Sequence, residues 1–168
     1  MKILIEEGDL LKRVAEISKE INNDYKNKNP ILVGVLKGAF IFMADMIRQL
    51  TIPVEIDFLS IHSYDGKNSS GVVRISHDLS LNIEDRDVIL LEDIVDTGRT
   101  LNYIIENLMT RKPRSLAVCT LLNKKSDRII KVPINYVGFE IPRVFVVGYG
   151  LDYMNNYRNL KYIGVASE

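Results

Sequence analysis

The chain has 168 residues, and its 22 Lys and Arg residues balance its 22 Asp and Glu residues, so its formal net charge is zero. That balance excludes attraction to nucleic acid or to anionic lipid through overall charge, and an anionic ligand must be held by a local arrangement of groups. The apolar stretches are too short to span a bilayer, and one cysteine with two histidines excludes an internal disulfide and a zinc cluster. We therefore expect a cytoplasmic single-domain protein with neither a nucleic-acid nor a membrane partner.

The first third of the chain is predicted to alternate between helix and strand. Apolar residues recur at helical spacing over residues 10–21, and the continuous apolar run at residues 31–36 is typical of a buried strand. A second helical face covers residues 40–50 and is closed by Pro53. Residues 54–59 then alternate between apolar and polar, which predicts a half-buried strand.

The rest of the chain continues the alternation. Residues 64–71 are polar and contain two glycines, which predicts a loop, and residues 72–76 return as a strand. Strands that alternate with helices imply parallel β-α-β units, with residues 54–76 as an antiparallel insertion. The remaining predicted elements are a helix over residues 99–111 and strands at residues 88–91, 116–122, 136–139 and 144–147.

The most informative stretch is VILLEDIVDTGRT at residues 88–100. Glu92 and Asp93 follow an apolar strand, and the carboxyl ends of parallel strands are where such folds bind ligands. The glycine-containing loop at residues 96–100 leads into a helix, whose free N–H groups and dipole favour a phosphate. Because carboxylates repel phosphate, we expect hydroxyls or a metal at the acidic pair and a phosphate at residues 97–100. Singly, each residue is also typical of a solvated strand end or a turn.

Known phosphate loops do not account for this stretch. The P-loop pattern is absent from the sequence, and Gly148-Tyr149-Gly150 lacks the third glycine of a dinucleotide fingerprint. Instead, LLEDIVDTGRTL closely resembles the phosphoribosyl-pyrophosphate (PRPP) signature of the purine and pyrimidine phosphoribosyltransferases. VLKGAFIF, SYDGKNSSGVVRI, LLNKK and VGFEIPRVFVVGYGLDYMNNYRNL narrow the resemblance to the hypoxanthine and hypoxanthine-guanine phosphoribosyltransferase family, from about residue 5 to residue 165.

The resemblance implies an α/β type I phosphoribosyltransferase-like fold with a central, mainly parallel sheet flanked by helices. It further implies one domain over residues 1–168, with a hood formed by the N- and C-terminal segments and a flexible antiparallel lid hairpin at about residues 63–74, including Ser63 and Tyr64. The implied reaction transfers the 5-phosphoribosyl group from PRPP to hypoxanthine and guanine, giving IMP or GMP and pyrophosphate, with Mg²⁺ as cofactor. A homodimer or homotetramer is expected.

On the phosphate side, the family's roles carry over onto matching residues. Glu92 and Asp93 would hold the ribose hydroxyls with a shared magnesium ion, and residues 96–100 would wrap the 5′-phosphate. Lys37 and Gly38 would form the pyrophosphate loop, where this family often has a cis peptide. The complete set implied for PRPP is Glu92, Asp93, Asp96, Thr97, Gly98, Arg99, Thr100, Lys37, Gly38 and Arg158.

On the purine side, Asp96 would be the catalytic general base at N7, and Lys124 would donate to the 6-oxo group. Phe145 would stack on the ring, and the Val146 backbone would read its Watson–Crick edge. Asp152 is implied both in the purine pocket and as a ligand of a second magnesium ion. Taken without the resemblance, Lys124 is typical of a solvated strand end, Phe145 of a core residue and Tyr64 of a packed loop anchor.

Two departures from the family pattern leave nucleobase preference open. Arg143 stands where members commonly carry an acidic residue, and Ser126-Asp127 also differs from the usual run. The alternatives to an enzyme are a PRPP- or nucleotide-sensing regulator and a phospho-acceptor receiver domain. The zero net charge and the retention of Asp96, Lys124 and Asp152 count against the regulator. The Lys37-Gly38 ending of the first predicted strand counts against the receiver.

Overall fold

The computed structural model describes residues 1–63 and 73–166, without the side chain of Ser63. Tyr64 and the predicted loop at residues 64–71 lie outside the described residues, so the lid stays a prediction. Within the described residues, strands and helices alternate: β1 (Lys2–Ile5), α1 (Glu7–Asp24), β2 (Ile31–Leu36), α2 (Phe40–Ile47), β3 (Glu55–Ser63), β4 (Val73–His77), β5 (Asp87–Val95), α3 (Arg99–Met109), β6 (Ser115–Asn123), β7 (Tyr136–Glu140), β8 (Val146–Val147) and β9 (Ile163–Val165).

The central sheet has six strands in the order β4-β3-β2-β5-β6-β7. All neighbouring pairs are parallel except β3 and β4. The prediction of an antiparallel insertion over residues 54–76 is therefore wrong for β3, which runs parallel to β2 because helix α2 carries the chain back across the sheet. The mainly parallel, helix-flanked sheet itself is confirmed.

Helices cover both faces of this sheet. The alternation of side chains along β2 sends Leu32 into a core with α1 and α2, which includes Leu10 and Phe42. Ile31 and Val33 point to the opposite face, where they pack with α3. Among the described residues, no helix is long and apolar enough to cross a membrane.

Strand β5 is longer than predicted. We expected it to end at Leu91, but its parallel pairing with β6 continues from Glu92, opposite Thr120, to Val95, opposite Asn123. Polar side chains do not interrupt the ladder, because the ladder is made by the backbone. The acidic pair therefore lies near the carboxyl end of β5, a central strand between β2 and β6. The backbone pairing of the sheet fixes its position.

A second, smaller sheet has the order β1-β9-β8, and its pairs are antiparallel. Strands β1 and β9 were not predicted, and β8 begins two residues later than the predicted strand at residues 144–147. Strands of two to four residues show too little alternation to be recognised in a sequence. This sheet joins the two ends of the chain and leads into the segment that carries Asp152 and Arg158.

Candidate active site

A cavity of about 340 Å³ opens at the carboxyl ends of β2 and β5. The order in which strands are added to the sheet reverses between β2 and β5. Strand β3, which follows β2 in the chain, lies on one side, and β6, which follows β5, lies on the other. Ligands of open α/β sheets bind at this switch point. The wall contains polar residues from four segments: Lys37 and Gly38; Glu92 and Asp93; Asp96, Thr97, Gly98 and Thr100; and Asp152 and Arg158.

The acidic pair forms the floor of the cavity. Glu92 is buried, and burial together with the Asp93 charge raises its pKa well above the ordinary value. Removal from water raises the pKa of Asp93 to about 6, although the backbone N–H of Ile94 donates to its Oδ1 at 2.7 Å and Arg158 opposes the rise. Burying two carboxyl groups side by side costs solvation free energy, which hydroxyl donors or a cation would offset. The pair is therefore a candidate site for such groups.

The loop after β2 packs directly on this acidic pair. The peptide bond between Leu36 and Lys37 is cis, as the family resemblance implies. A Cβ atom on Gly38 would lie 1.6 Å from Oδ2 of Asp93, so this position excludes every side chain. Lys37 is exposed and lines the cavity. The loop and the carboxylates thus face one space from two adjacent strands.

Residues 96–100 connect β5 to α3. Gly98 precedes the helix with a left-handed backbone, φ 85°, and a Cβ atom there would lie 2.5 Å from the carbonyl oxygen of Ile130. The N-cap residue Gly98 has no side chain to cap helix α3, and the Arg99 N–H donates only a long bond of 3.4 Å to the Thr97 Oγ1 atom, so the start of the helix can still receive an anion. The Arg99 side chain is exposed and is not part of the cavity wall, unlike the other predicted members of this loop.

A segment that the sequence analysis did not single out supports this loop from behind. The N–H groups of Ile129 and Ile130 both donate to the Thr97 carbonyl, at 2.9 and 3.0 Å. The Arg128 Nε donates to the Asp96 carbonyl at 3.1 Å. These contacts join residues about thirty positions apart, and the sequence carries no signal for them. These contacts therefore hold the loop at residues 96–100 through its backbone carbonyls and not through its side chains.

Of the residues predicted for the purine side, Asp152 lines the cavity, whereas Lys124, Phe145 and Val146 do not. Lys124 is buried, and its Nζ lies 3.8 Å from Oδ2 of Asp96. Phe145 is 53% exposed and meets Tyr153 edge to face, with ring centroids 5.7 Å apart. Val146 is buried in β8. The residue-by-residue expectations of an exposed Lys124 and a buried Phe145 are both wrong, since Lys124 is the buried residue and Phe145 is the exposed one.

Opposite the acidic pair, Asp152 and Arg158 form an ion pair of 2.7 Å between Oδ1 and Nη2. Arg158 Nη1 also donates to the Gly150 carbonyl at 2.6 Å, and the Asn155 N–H donates to Oδ2 of Asp152 at 2.7 Å. These bonds fix both side chains before any ligand arrives. Together they present a cation and a carboxylate to the same cavity.

The described residues contain no group of three or more His, Cys, Asp or Glu side chains that could hold a metal ion alone. Magnesium, however, is usually held by one or two carboxylates together with substrate phosphates and water. Glu92 and Asp93 on one wall, and Asp152 on another, fit that pattern.

Comparison with known proteins decides the family. Residues 4–154 match the model of the phosphoribosyl transferase domain. The chain belongs to the phosphoribosyltransferase family. Similar members include the hypoxanthine-guanine phosphoribosyltransferases of Streptococcus pyogenes, 45% identical over 99% of this chain and 93% of that protein, and of Dictyostelium discoideum, 46% identical over 99% and 96%.

A solved structure agrees with this assignment. The hypoxanthine-guanine phosphoribosyltransferase of Bacillus anthracis, crystallised with HEPES in its active site, superposes with a TM-score of 0.95. It is 39% identical, and the match covers 99% of both chains. The type I phosphoribosyltransferase fold expected from the sequence is thereby confirmed, and the chain is a purine-salvage phosphoribosyltransferase rather than a non-catalytic regulator.

Proposed function

We propose that this phosphoribosyltransferase transfers the 5-phosphoribosyl group of PRPP to hypoxanthine and guanine, giving IMP and GMP. The observation that carries the substrate choice is the pair formed by Lys124 and Asp96, whose side chains lie 3.8 Å apart beside the phosphate loop. A 6-oxopurine presents O6 and N7 on one edge. The ammonium group is a donor for O6, and the carboxylate faces the proton on N7.

The reaction forms one bond and breaks another. N9 of the purine bonds to C1 of the ribose while the C1–O bond to pyrophosphate breaks, and the electron pair leaves with pyrophosphate. Asp96 accepts the proton that the purine loses at N7, as a general base. Phe145 offers its exposed face to the purine ring, and the Val146 backbone lies at the Watson–Crick edge.

On the phosphate side, the amides at the start of α3 with Thr97 and Thr100 hold the 5′-phosphate. Glu92 and Asp93 accept the ribose hydroxyls, and Lys37, Gly38 and Arg158 hold the pyrophosphate. The residues that would hold magnesium are Glu92, Asp93 and Asp152. When bound, magnesium offsets the charge of pyrophosphate and makes it a better leaving group.

Water would intercept the charge that develops at C1, so the cavity has to be closed during the reaction. We assign closure to the lid at residues 63–74, with Ser63 and Tyr64, and to the small sheet β1-β9-β8 acting as the hood. A homodimer or homotetramer in the cytoplasm completes the proposal.

The test is nucleotide formation from PRPP and Mg²⁺ with hypoxanthine, guanine, xanthine and adenine in parallel, followed by chromatography of the products. We expect IMP and GMP with stoichiometric pyrophosphate, and no AMP. PRPP binding without nucleotide from any base would overturn the proposal in favour of a PRPP sensor. Product from adenine at a rate equal to that from hypoxanthine would overturn the roles of Lys124 and Asp96.

A further inference from the structure

Tyr149 lies in the segment between β8 and Asp152, and nothing in the reaction described above uses it. It is almost fully buried, 4% exposed, and its hydroxyl donates to Oδ2 of Asp45 at 2.6 Å. Asp45 lies on α2, the helix that directly follows the Leu36–Gly38 loop. Burial and the bond to Asp45 also raise the pKa of Tyr149, which keeps the hydroxyl a donor. One hydrogen bond therefore connects the segment at residues 148–152, called the hood segment below, to helix α2, which follows the pyrophosphate loop.

The backbone around Tyr149 has a conformation that its surroundings must hold, and the Tyr149 N–H also donates to the Leu160 carbonyl at 2.8 Å. Tyr149 has φ 49°, between Gly148 at 103° and Gly150 at 102°. A bulky residue in the left-handed region is disfavoured unless its surroundings hold it there. A Cβ atom on Gly150 would lie 2.2 Å from the carbonyl oxygen of Gly38, so the hood segment lies flat on the pyrophosphate loop at this point.

The same segment carries the groups that face the cavity. The Gly150 carbonyl accepts from Arg158 Nη1 at 2.6 Å, and the Gly150 N–H donates to the Arg158 carbonyl at 3.0 Å. Arg158 in turn pairs with Asp152 at 2.7 Å. Any shift of Gly150 away from Gly38 therefore moves both side chains relative to Glu92 and Asp93.

We propose that Tyr149 and Asp45 are positioning residues for the pyrophosphate half of the reaction. The hydroxyl-to-carboxylate bond holds Gly150 against Gly38 and so sets where Asp152 and Arg158 meet the pyrophosphate of PRPP. The inference rests on the proposed function, because it assumes that this side of the cavity binds pyrophosphate. Neither residue touches substrate.

The molecule supplies a matched control. Tyr136 is 8% exposed, and its hydroxyl donates to Oδ2 of Asp24 at 2.6 Å, far from the cavity, between β7 and the end of α1. Tyr149→Phe and Tyr136→Phe each remove one oxygen atom from a similar bond. We expect similar losses of thermal stability from both. Only Tyr149→Phe should raise the KM for PRPP, by about three- to tenfold, with the KM for hypoxanthine within about twofold of wild type.

Substitutions of the acceptor provide the second arm. Asp45→Asn keeps an oxygen that accepts from the Tyr149 hydroxyl and should leave the KM for PRPP near wild type, whereas Asp45→Ala should match Tyr149→Phe. The double variant Tyr149→Phe with Asp45→Ala should bind PRPP no worse than either single variant, because both substitutions remove the same hydroxyl-to-carboxylate bond. Asp45 also pairs with the exposed Arg48 at 3.8 Å, and Asp45→Asn controls for the loss of that ion pair. These variants also carry the test if Tyr149→Phe does not fold.

The possible outcomes separate the two hypotheses. The positioning role would be overturned if Tyr149→Phe and Tyr136→Phe had equal effects on the KM for PRPP. It would also be overturned if Asp45→Asn raised that KM as much as Asp45→Ala. In either case an active wild-type protein would leave the proposed function standing. A wild-type protein that forms no nucleotide would instead overturn the proposed function. A KM increase confined to hypoxanthine would place the effect on the wrong side of the cavity and would also reject the inference.

Discussion

The Nζ atom of Lys124 lies 3.8 Å from Oδ2 of Asp96, although the two residues end different strands. Lys124 follows β6 and Asp96 follows β5, and the Lys124 N–H donates to the Val95 carbonyl at 3.0 Å. The parallel register of β5 and β6 thus brings together the donor assigned to O6 and the base assigned to N7. The same register ties the purine pocket to the phosphate loop, which begins at Asp96.

Asp96→Asn should slow turnover while PRPP affinity is kept. The loop is held through the Asp96 and Thr97 carbonyls, which the substitution leaves intact, so its shape should survive. A positioned acid–base group contributes about 10²- to 10⁴-fold, and we expect a loss of kcat in that range. Steady-state kinetics with titration of PRPP binding checks it. A near-wild-type kcat would remove Asp96 from the reaction.

Lys124→Met should lower kcat/KM for 6-oxopurines with little change in PRPP affinity. A hydrogen bond to a charged group contributes about 1.5–3 kcal/mol, which corresponds to a loss of roughly 10–150-fold. Adenine presents an amino group at position 6, so its use should stay negligible or rise slightly. The measurement compares hypoxanthine, guanine and adenine at saturating PRPP, and a second series varies PRPP at saturating hypoxanthine. A loss confined to the KM for PRPP would show that Lys124 contacts phosphate instead.

The convergence of Glu92, Asp93 and the glycine loop on one cavity could be predicted because its signals are local. Glu92, Asp93 and the glycine loop are consecutive, and the strand-loop-helix order fixes where they lie in a parallel sheet. The burial of Lys124 and the exposure of Phe145 could not be predicted from their neighbours in sequence. Lys124 is covered because β6 pairs beside β5, and Phe145 is uncovered because β8 begins only after it.

The supports of the site also could not be predicted. Arg128 and Ile130 donate hydrogen bonds to the carbonyls of Asp96 and Thr97, about thirty residues away in the chain. Nothing in the sequence around these two residues indicates that contact. Likewise, the positive φ of Tyr149 and its bond to Asp45 depend on how the small sheet meets α2. Such contacts are set by tertiary packing, which periodicity does not report.

Glu92→Gln should stabilise the ligand-free protein, and more so at higher pH. Burial and Asp93 raise the pKa of Glu92 in the folded state above its unfolded value, so the fold loses stability as pH rises from the unfolded pKa through the folded pKa. The difference in Tm between variant and wild type should be smallest at pH 5 and grow towards pH 8. Thermal denaturation across that range tests it, and a difference independent of pH would contradict it. PRPP binding should weaken in the same variant.

The two departures from the family pattern, at Arg143 and at Ser126-Asp127, meet in the structure. Arg143 Nε lies 3.3 Å from Oδ1 of Asp127, so an ion pair links the turn after Lys124 to the segment before Phe145. The ion pair thereby joins the two segments to which we assign the purine pocket. Because the Arg143 side chain is 85% exposed, the pair should contribute only about 0.2–1 kcal/mol.

Arg143→Asp places two carboxyl groups together and should raise the KM for hypoxanthine by about two- to fivefold, with the KM for PRPP unchanged. Combining it with Asp127→Arg restores an opposite-charge pair and should recover most of that loss. The neighbouring pair of Lys125 and Glu140 is the matched control, since it reaches β7 and not the Phe145 segment. Glu140→Lys should therefore leave both KM values near wild type. If it raises the hypoxanthine KM as much as Arg143→Asp does, the effect belongs to surface charge in general and not to the closure of the purine pocket.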